Sequence, residues 1–373
     1  MKVMHILDSL NRGGAEMLAL DVCRNARAHN LDLTFVATGG GDLEGDFRGS
    51  GVVFHRLQRR LPVDLRLATR LGRIIKDRGI DVVHTHQAVE ALHAYLATRG
   101  TRIKRVMTFH LCTADTRNRV ALKFLRPRLD AGVAVSNDLL QCLSEAGLET
   151  EKNFHVIPNG VDATRLQHTE RGLRSELGLS ENDLLFGMVG NFYADGRKDQ
   201  RTICLALPKF FAQVPNAHFV FVGGTFQEST NLLEECIDIC RRNQMTDRVH
   251  FLGKRSDVAN ILHSLDGYVH SSVNESQGIA VVEAMLVGLP VIVSNIGALL
   301  EVTNNGDCAL VFRTGDAEDL SDQLIKFAQD GSLRARLAGT GNAYATLCFS
   351  IDAHIESLQA LYENIASSDP LVP

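Results

Sequence analysis

The chain has 373 residues, of which 45% are hydrophobic and 22% charged, with eight Cys and no Trp. That is room for two domains of roughly 100–200 residues each, and it excludes a disordered chain, a collagen-like fibre and a small disulfide scaffold. The net charge of −5 hides a split: residues 1–165 carry 24 Lys and Arg against 18 Asp and Glu, a net of +6, and residues 166–373 carry 15 against 26, a net of −11.

The chain opens on Met1-Lys2-Val3-Met4-His5-Ile6-Leu7-Asp8. Its apolar stretch is too short for a signal peptide and has no small-residue cleavage site, so it reads as a first buried strand. No apolar run reaches the roughly 18 residues needed to span a bilayer, and the expectation is a cytoplasmic protein. Further strands are expected at 32–38, 52–55, 80–85, 104–109, 131–135 and 153–157, alternating with amphipathic helices at 14–29, 64–78, 87–98 and 137–146. Ile157-Pro158-Asn159-Gly160-Val161-Asp162 is turn chemistry and marks a boundary, placed at 165. The alternation then restarts. Strands are expected at 184–190, 217–223, 248–252, 266–270, 290–293 and 308–312, and helices at 199–213, 228–243, 256–263, 279–287 and 316–329. Two long helical patterns, 332–346 and 351–366, close the chain. The fold class is α/β: two doubly wound, mostly parallel sheets facing each other across a cleft, whose ligands bind beyond the carboxyl ends of the strands.

The eight Cys are scattered, and they read as buried reduced thiols. Cys236 and Cys240 share a helix face, but no second pair with metal-ligand spacing follows.

Several strand-to-helix loops could carry chemistry. In Asn274-Glu275-Ser276-Gln277-Gly278-Ile279, followed by Glu283, a helix begins near Gly278. Its first amides and dipole end offer an anion site, and Gly278 lets a phosphate approach closely. Two carboxylates beside it suit the hydroxyls of a sugar and a ribose; the plain alternative is a capped helix with a half-buried Glu. Gly190-Asn191 through Arg197-Lys198 follows the first strand of the second half and could meet a pyrophosphate, or be a solvated basic turn. Asn11-Arg12-Gly13-Gly14 follows the first strand and lacks the full dinucleotide fingerprint. His84, His86 and His110 sit at strand ends. They read as cleft or core histidines, with a three-His zinc site as a minor alternative.

Taken together these loops resemble retaining, nucleotide-sugar-dependent glycosyltransferases of family 4, which have the two-domain GT-B fold. The pieces run in order: Gly13-Gly14-Ala15-Glu16, Asp81 to His86, Thr108-Phe109-His110, Val133 to Ser136, Val156 to Asp162, Val189-Gly190 with Lys198, Phe219 to Gly224, Val249 to Gly253, Glu275 to Met285, Asn305-Gly306 and Thr314-Gly315-Asp316. They span nearly the whole chain. The resemblance implies transfer of a sugar from a nucleotide diphosphate to an acceptor. It implies an acceptor-side domain over 1–165, a donor domain over 166–350, and a terminal helix in 351–373 returning to the first domain. His110, Lys198 and Glu275 would be catalytic, with Lys198 on the leaving diphosphate and Glu275 on the donor sugar. Gly13, Gly14, Asn191, Arg197, Lys254, Gln277, Gly278, Ile279 and Glu283 would bind donor, Glu283 through the ribose and Lys254 near the base. No cofactor or metal is expected: Lys198 and helix amides can stabilise the departing charge, and the chain has no Asp-x-Asp. Two positions depart from the family. Asn191 stands where Arg is frequent, with Arg197 a substitute, and Gln277 stands where an aromatic is frequent. An inactive nucleotide-sugar binding module and a sugar-nucleotide epimerase are the competing readings.

The basic surplus concentrates at 56–78, net +6, and at 99–128, net +8. It suggests a glycan or lipid-linked acceptor and peripheral contact with an anionic membrane at its inner face. Nucleic acid is not expected, because these stretches match no recognition motif.

Overall fold

The structure, a computed structural model, describes residues 1–112, 116–148, 153–167, 172–226 and 230–367. The chain divides into two compact units, Met1–Val161 with Ser350–Pro373, and Asp162–Phe349. Each unit is built on one large parallel sheet.

The first unit contains strands β1 (Lys2–Leu7), β2 (Asp32–Ala37), β3 (Val53–Arg56), β4 (Val82–Thr85), β5 (Lys104–Phe109), β6 (Ala131–Ala134) and β7 (Phe154–Val156), in sheet order β3-β2-β1-β4-β5-β6-β7. All seven were expected from the apolar runs. Between them lie α1 (Gly14–Asn25), α2 (Glu44–Arg48), α3 (Leu65–Arg78), α4 (Ala88–Thr98), α5 (Thr116–Leu125) and α6 (Asn137–Glu145). Local chemistry sets their ends. The Asp64 carboxylate accepts from the amides of Arg66 and Leu67 at the start of α3, and Gly79, at φ 64°, closes it. Ser136 caps α6 through the amide of Leu139 at 3.0 Å. α2 and α5 were not expected. α2 is a single turn, and α5 follows residues 113–115, which lie outside the described set.

In the second unit are α7 (Leu173–Glu176), α8 (Gln200–Gln213), α9 (Thr230–Arg242), α10 (Val258–Ser264), α11 (Ile279–Leu286), α12 (Gly297–Val302), α13 (Ala317–Gln329) and α14 (Gly331–Phe349). Its strands are β8 (Leu184–Val189), β9 (Phe192–Tyr193), β10 (Ala217–Val222), β11 (Thr225–Phe226), β12 (Val249–Phe251), β13 (Gly267–His270), β14 (Val291–Ser294) and β15 (Ala309–Phe312). Six of them form the sheet β12-β10-β8-β13-β14-β15, all neighbours parallel. β9 and β11 pair with each other as a two-residue extension that apolar patterning does not reveal. Positions 228–229 of the expected helix 228–243 lie outside the described residues.

The last helix, α15 (Ile351–Ser367), belongs to the first unit. Its buried Ile351, Ile355, Leu358, Leu361, Tyr362 and Ile365 repeat at helical spacing and join the core of Val3, Leu7, Phe35 and Val82. The entry of α15 rests on Gly160, where a Cβ would lie 2.6 Å from the His354 Cβ. Residues 368–373 lie outside the described set. The crossing point also moves. Residues 162–165, expected in the first domain, fall in the second unit, because Asp162 caps a short turn whose Leu166 is buried and whose carbonyl accepts from His263 in α10 at 2.8 Å. Counted by unit, the first holds 23 basic against 21 acidic side chains, a net of +2, and the second a net of −7. The terminal helix, with no Lys or Arg after Arg336, dilutes the basic half.

The cysteine reading needs one correction. Cys112, just past β5, and Cys142 on α6 form a disulfide. Their 30-residue separation hides a contact that only the sheet creates. Cys236 and Cys240 are buried beside Cys204, in the core between α8 and α9.

Candidate active site

A doubly wound sheet opens a crevice where the strand order reverses. In the second unit that point lies between β8 and β13. The loop after β8 is laid along the loop after β13 by main-chain bonds: Val273 donates to the Arg197 carbonyl at 2.9 Å, and Asp199 to the Ser271 carbonyl at 3.0 Å. The pairing brings side chains 77 residues apart into one buried group. The Lys198 ammonium forms an ion pair with Glu275. The His270 ring, at the end of β13, lies 2.7 Å from the Glu275 carboxylate and 3.2 Å from Lys198 Nζ. The Tyr268 hydroxyl stands 3.1 Å from the other nitrogen of His270. The side chains of Lys198 and Glu275 are 14% and 12% exposed. Burial alone would raise the Glu275 carboxyl, but the Lys198 charge and the His270 hydrogen bond outweigh it and hold it far below the usual carboxylate range. Burial, with the Lys198 charge, lowers His270 and keeps it neutral.

The loop after Glu275 is shaped by one glycine. Gly278 has φ 92° and caps α11, and a Cβ there would meet Leu299 Cδ2 at 2.6 Å. Gln277 is buried and Ile279 opens the helix. Glu283, in the second turn, bonds Arg165 at 2.7 Å.

Other expected donor-side residues surround this centre with different local duties. The Asn191 side chain accepts from the Gly224 amide at 3.1 Å and so ties the loops after β8 and β10 together. Lys254 is exposed beside Gly224, where a Cβ would lie 3.6 Å from its own. Arg197 is held by Asp195 at 2.5 Å and stacks on Tyr193 at 4.9 Å.

In the first unit, Gly13 and Gly14 are exposed at the start of α1. The turn before them is pinned from β2: a Cβ at Gly39 would lie 2.0 Å from the Asp8 carbonyl oxygen, and one at Gly41 2.1 Å from the Leu10 carbonyl carbon. His110 is half-buried just past β5. Its Nε2 lies 3.0 Å from His86 Nδ1, and His86 Nε2 lies 3.4 Å from His5 Nδ1. Burial, with the neighbouring His354, lowers His110 to about 4. The zinc alternative fails on geometry. His84 and His86 stack with ring centroids 5.0 Å apart, and protein groups take both nitrogens of each. Zinc needs bare nitrogens converging on one point.

Residues 12–165 match the family described as Glycosyltransferase Family 4, and residues 170–343 match Glycosyl transferases group 1. The chain belongs to glycosyltransferase family 4. An Anabaena protein, HepE, crystallised with UDP and glucose, superposes with a TM-score of 0.83 at 21% identity, over 99% of this chain and all of that one, so the fold is GT-B. The N-acetyl-alpha-D-glucosaminyl L-malate synthase of Bacillus anthracis is 27% identical over 83% of this chain and 81% of its own. The UDP-Gal:alpha-D-GlcNAc-diphosphoundecaprenol alpha-1,3-galactosyltransferase of Escherichia coli is 26% identical over 80% of this chain and 79% of its own.

Three residues that the structure brings into this candidate site were not found from the sequence. His270 and Tyr268 looked like one more apolar strand end, and Arg165 lay on the wrong side of the expected boundary. A polar residue closing a central strand, at the side where ligands bind, is the signal that could have found His270.

Proposed function

We propose that this glycosyltransferase moves a hexose from a UDP-sugar to a glycan or lipid-linked acceptor, with retention of anomeric configuration and without a metal. The observation that carries the reading is the buried Lys198–Glu275–His270 group at the switch point of the second sheet. Breaking the bond between the anomeric carbon and the phosphate oxygen develops negative charge on the diphosphate. Lys198 and the first amides of α11 stabilise that charge, while Glu275, held ionised, accepts hydrogen bonds from sugar hydroxyls. Same-face attack by the acceptor oxygen within a short-lived ion pair forms the new bond, and its proton leaves on the diphosphate. Glu283 holds the ribose and exchanges its Arg165 contact for the hydroxyls. His110 acts on the transferred sugar; Gly13, Gly14, Asn191, Arg197 and Lys254 complete the donor site. UDP bound to HepE and the UDP-galactose named for the Escherichia coli relative favour uracil.

Incubation with UDP-, GDP- and ADP-sugars should release nucleotide from the UDP-sugar alone, and Glu283→Ala should raise the donor KM about tenfold or more. Tight donor binding with no turnover against any acceptor would instead mark a binding module, and C2 inversion without acceptor an epimerase.

The same reading places the protein in the cytoplasm, working at an anionic membrane face. No helix among the described residues is long and apolar enough to cross a bilayer. Leu61, Val63 and Leu65 are 60%, 50% and 66% exposed. Beside them is a cavity of about 220 Å³ lined by Gln58, Arg60, Asp64, Arg66, Leu67 and Arg70. Exposed apolar side chains among arginines suit a headgroup layer, where each cation contributes about 1 kcal/mol. The chain should sediment with phosphatidylglycerol vesicles at low salt and be released at high salt, and replacing Leu61, Val63 and Leu65 by Ser should abolish binding. Equal recovery with neutral vesicles would overturn the membrane reading.

A further inference from the structure

The histidines at the strand ends of the first unit form one continuous chain. From its inner end, the Thr108 hydroxyl lies 2.7 Å from His84 Nε2, and His84 Nδ1 lies 2.5 Å from the Tyr362 hydroxyl. That hydroxyl lies 3.0 Å from His5 Nε2, His5 Nδ1 lies 3.4 Å from His86 Nε2, and His86 Nδ1 lies 3.0 Å from His110 Nε2. Thr108, His84, Tyr362, His5 and His86 are all buried, and half-buried His110 ends the chain.

Proton counting restricts this chain to two states. A neutral imidazole carries one N–H and one bare nitrogen, and a tyrosine hydroxyl carries one proton. Burial lowers His5 to about 3 and His110 to about 4, and it lowers His84 and His86 as well, so all four rings are neutral near pH 7. There are five links, and the four inner groups supply one proton each. Were both ends to donate, Tyr362 would accept from His84 and His5 and strand its own buried O–H, so the fifth proton comes from one end, and whichever end supplies it orients every link. If His110 donates inward from Nε2, Thr108 must accept, and its own O–H is stranded in the core. Among the described residues the Thr108 hydroxyl has no partner but His84. A buried donor left unpaired costs the full desolvation of that group. If Thr108 donates, every inner proton is used. His84 donates from Nδ1 to Tyr362, Tyr362 to His5, His5 from Nδ1 to His86, and His86 from Nδ1 to His110 Nε2. The His110 proton then sits on Nδ1, the nitrogen that no protein group among the described residues takes.

We propose that Thr108, His84, Tyr362, His5 and His86 are positioning residues that lock His110 in its Nδ1–H form, so that it meets the sugar as a hydrogen-bond donor and not as a base. The role toward the sugar rests on the reading of His110 given above; the tautomer does not. The arrangement also gives the terminal helix a task, since α15 carries the hydroxyl at the centre of the relay.

The test is side-chain nitrogen NMR on the full chain labelled at histidine, near neutral pH and without donor. The expected result is a protonated Nδ1 and a bare Nε2 on His110, His86, His5 and His84. Thr108→Val removes the end donor while keeping the shape. It leaves His84 Nε2 unpaired in either orientation, so it should free the His110 proton to divide between Nδ1 and Nε2 and lower kcat with little change in donor KM, and Thr108→Ser should restore both. If the Val variant does not fold, Tyr362→Phe cuts the relay at its centre and should free the His110 tautomer in the same way. Native His110 protonated on Nε2, or a tautomer unmoved by both variants, would overturn the relay. A moved tautomer with unchanged kcat would support the relay and overturn the role of His110 in transfer.

Discussion

Lys198→Ala should slow sugar transfer about 100- to 1000-fold, the effect of removing one preorganised donor aimed at developing negative charge. It should also destabilise the protein. The substitution leaves the Glu275 carboxylate buried at 12% exposure, with the neutral His270 as its remaining partner. Breaking a buried pair on one side costs about 3–5 kcal/mol, a fall in Tm on the order of 10 °C for a domain of this size. Adding Glu275→Ala removes the stranded charge, so the double variant should recover part of that stability and none of the activity. Calorimetry and a nucleotide-release assay on the four proteins of the cycle separate the two effects. A double variant destabilised by the full sum of the singles would show that the pair contributes nothing as a pair.

Acid should unfold the first unit near pH 5. Burial lowers five of its histidines, with His5 at about 3 and His110 and His354 at about 4. Since their folded values lie below the ordinary value of about 6.5, the unfolded chain takes up protons first as pH falls. Their contribution is therefore intact above pH 6.5 and drains away toward pH 4. At pH 5 a histidine held at about 4 costs about 2 kcal/mol, and five approach the whole stability of an ordinary domain. Glu90 acts in the opposite direction. Burial and Asp8 raise it to about 7, so it favours the folded state more as pH falls from 7 to 4.5, one group against five. Circular dichroism is the suitable probe because the chain has no Trp. The Tm should fall steeply between pH 6.5 and 5, and a flat profile over that range would refute the histidine account.

What could be read from the sequence was what depends on neighbours along the chain. The thirteen main strands follow from short apolar runs, because a strand of a parallel sheet is buried on both faces. The Gly278 turn was legible as well, since the loop needs a residue that tolerates φ 92°. Elements a turn or so long, such as α2 and α7, carry too few residues to show a period. α12 was hidden for the same reason, its six residues lying among other apolar ones.

Contacts between distant segments were not legible. Asn191, read from the family resemblance, and Arg197, read from its loop, are each placed by a local bond that only the fold supplies, Asn191 to the Gly224 amide and Arg197 to Asp195. Arg165 reaches Glu283 across 118 positions, and Cys112 reaches Cys142 because β5 and β6 are adjacent. Tyr362 shows the limit most plainly. By itself it is a helix residue with a period of 3.6. Only the return of α15 to the first sheet puts its hydroxyl between His5 and His84. The sequence by itself determined the alternation of strands and helices, the two-domain plan and the loops that follow the strands, because propensity, pattern and turn chemistry act over a few residues. The tertiary structure alone decided which polar groups those loops exchange, because a hydrogen bond is set by distances that sheet order and packing create.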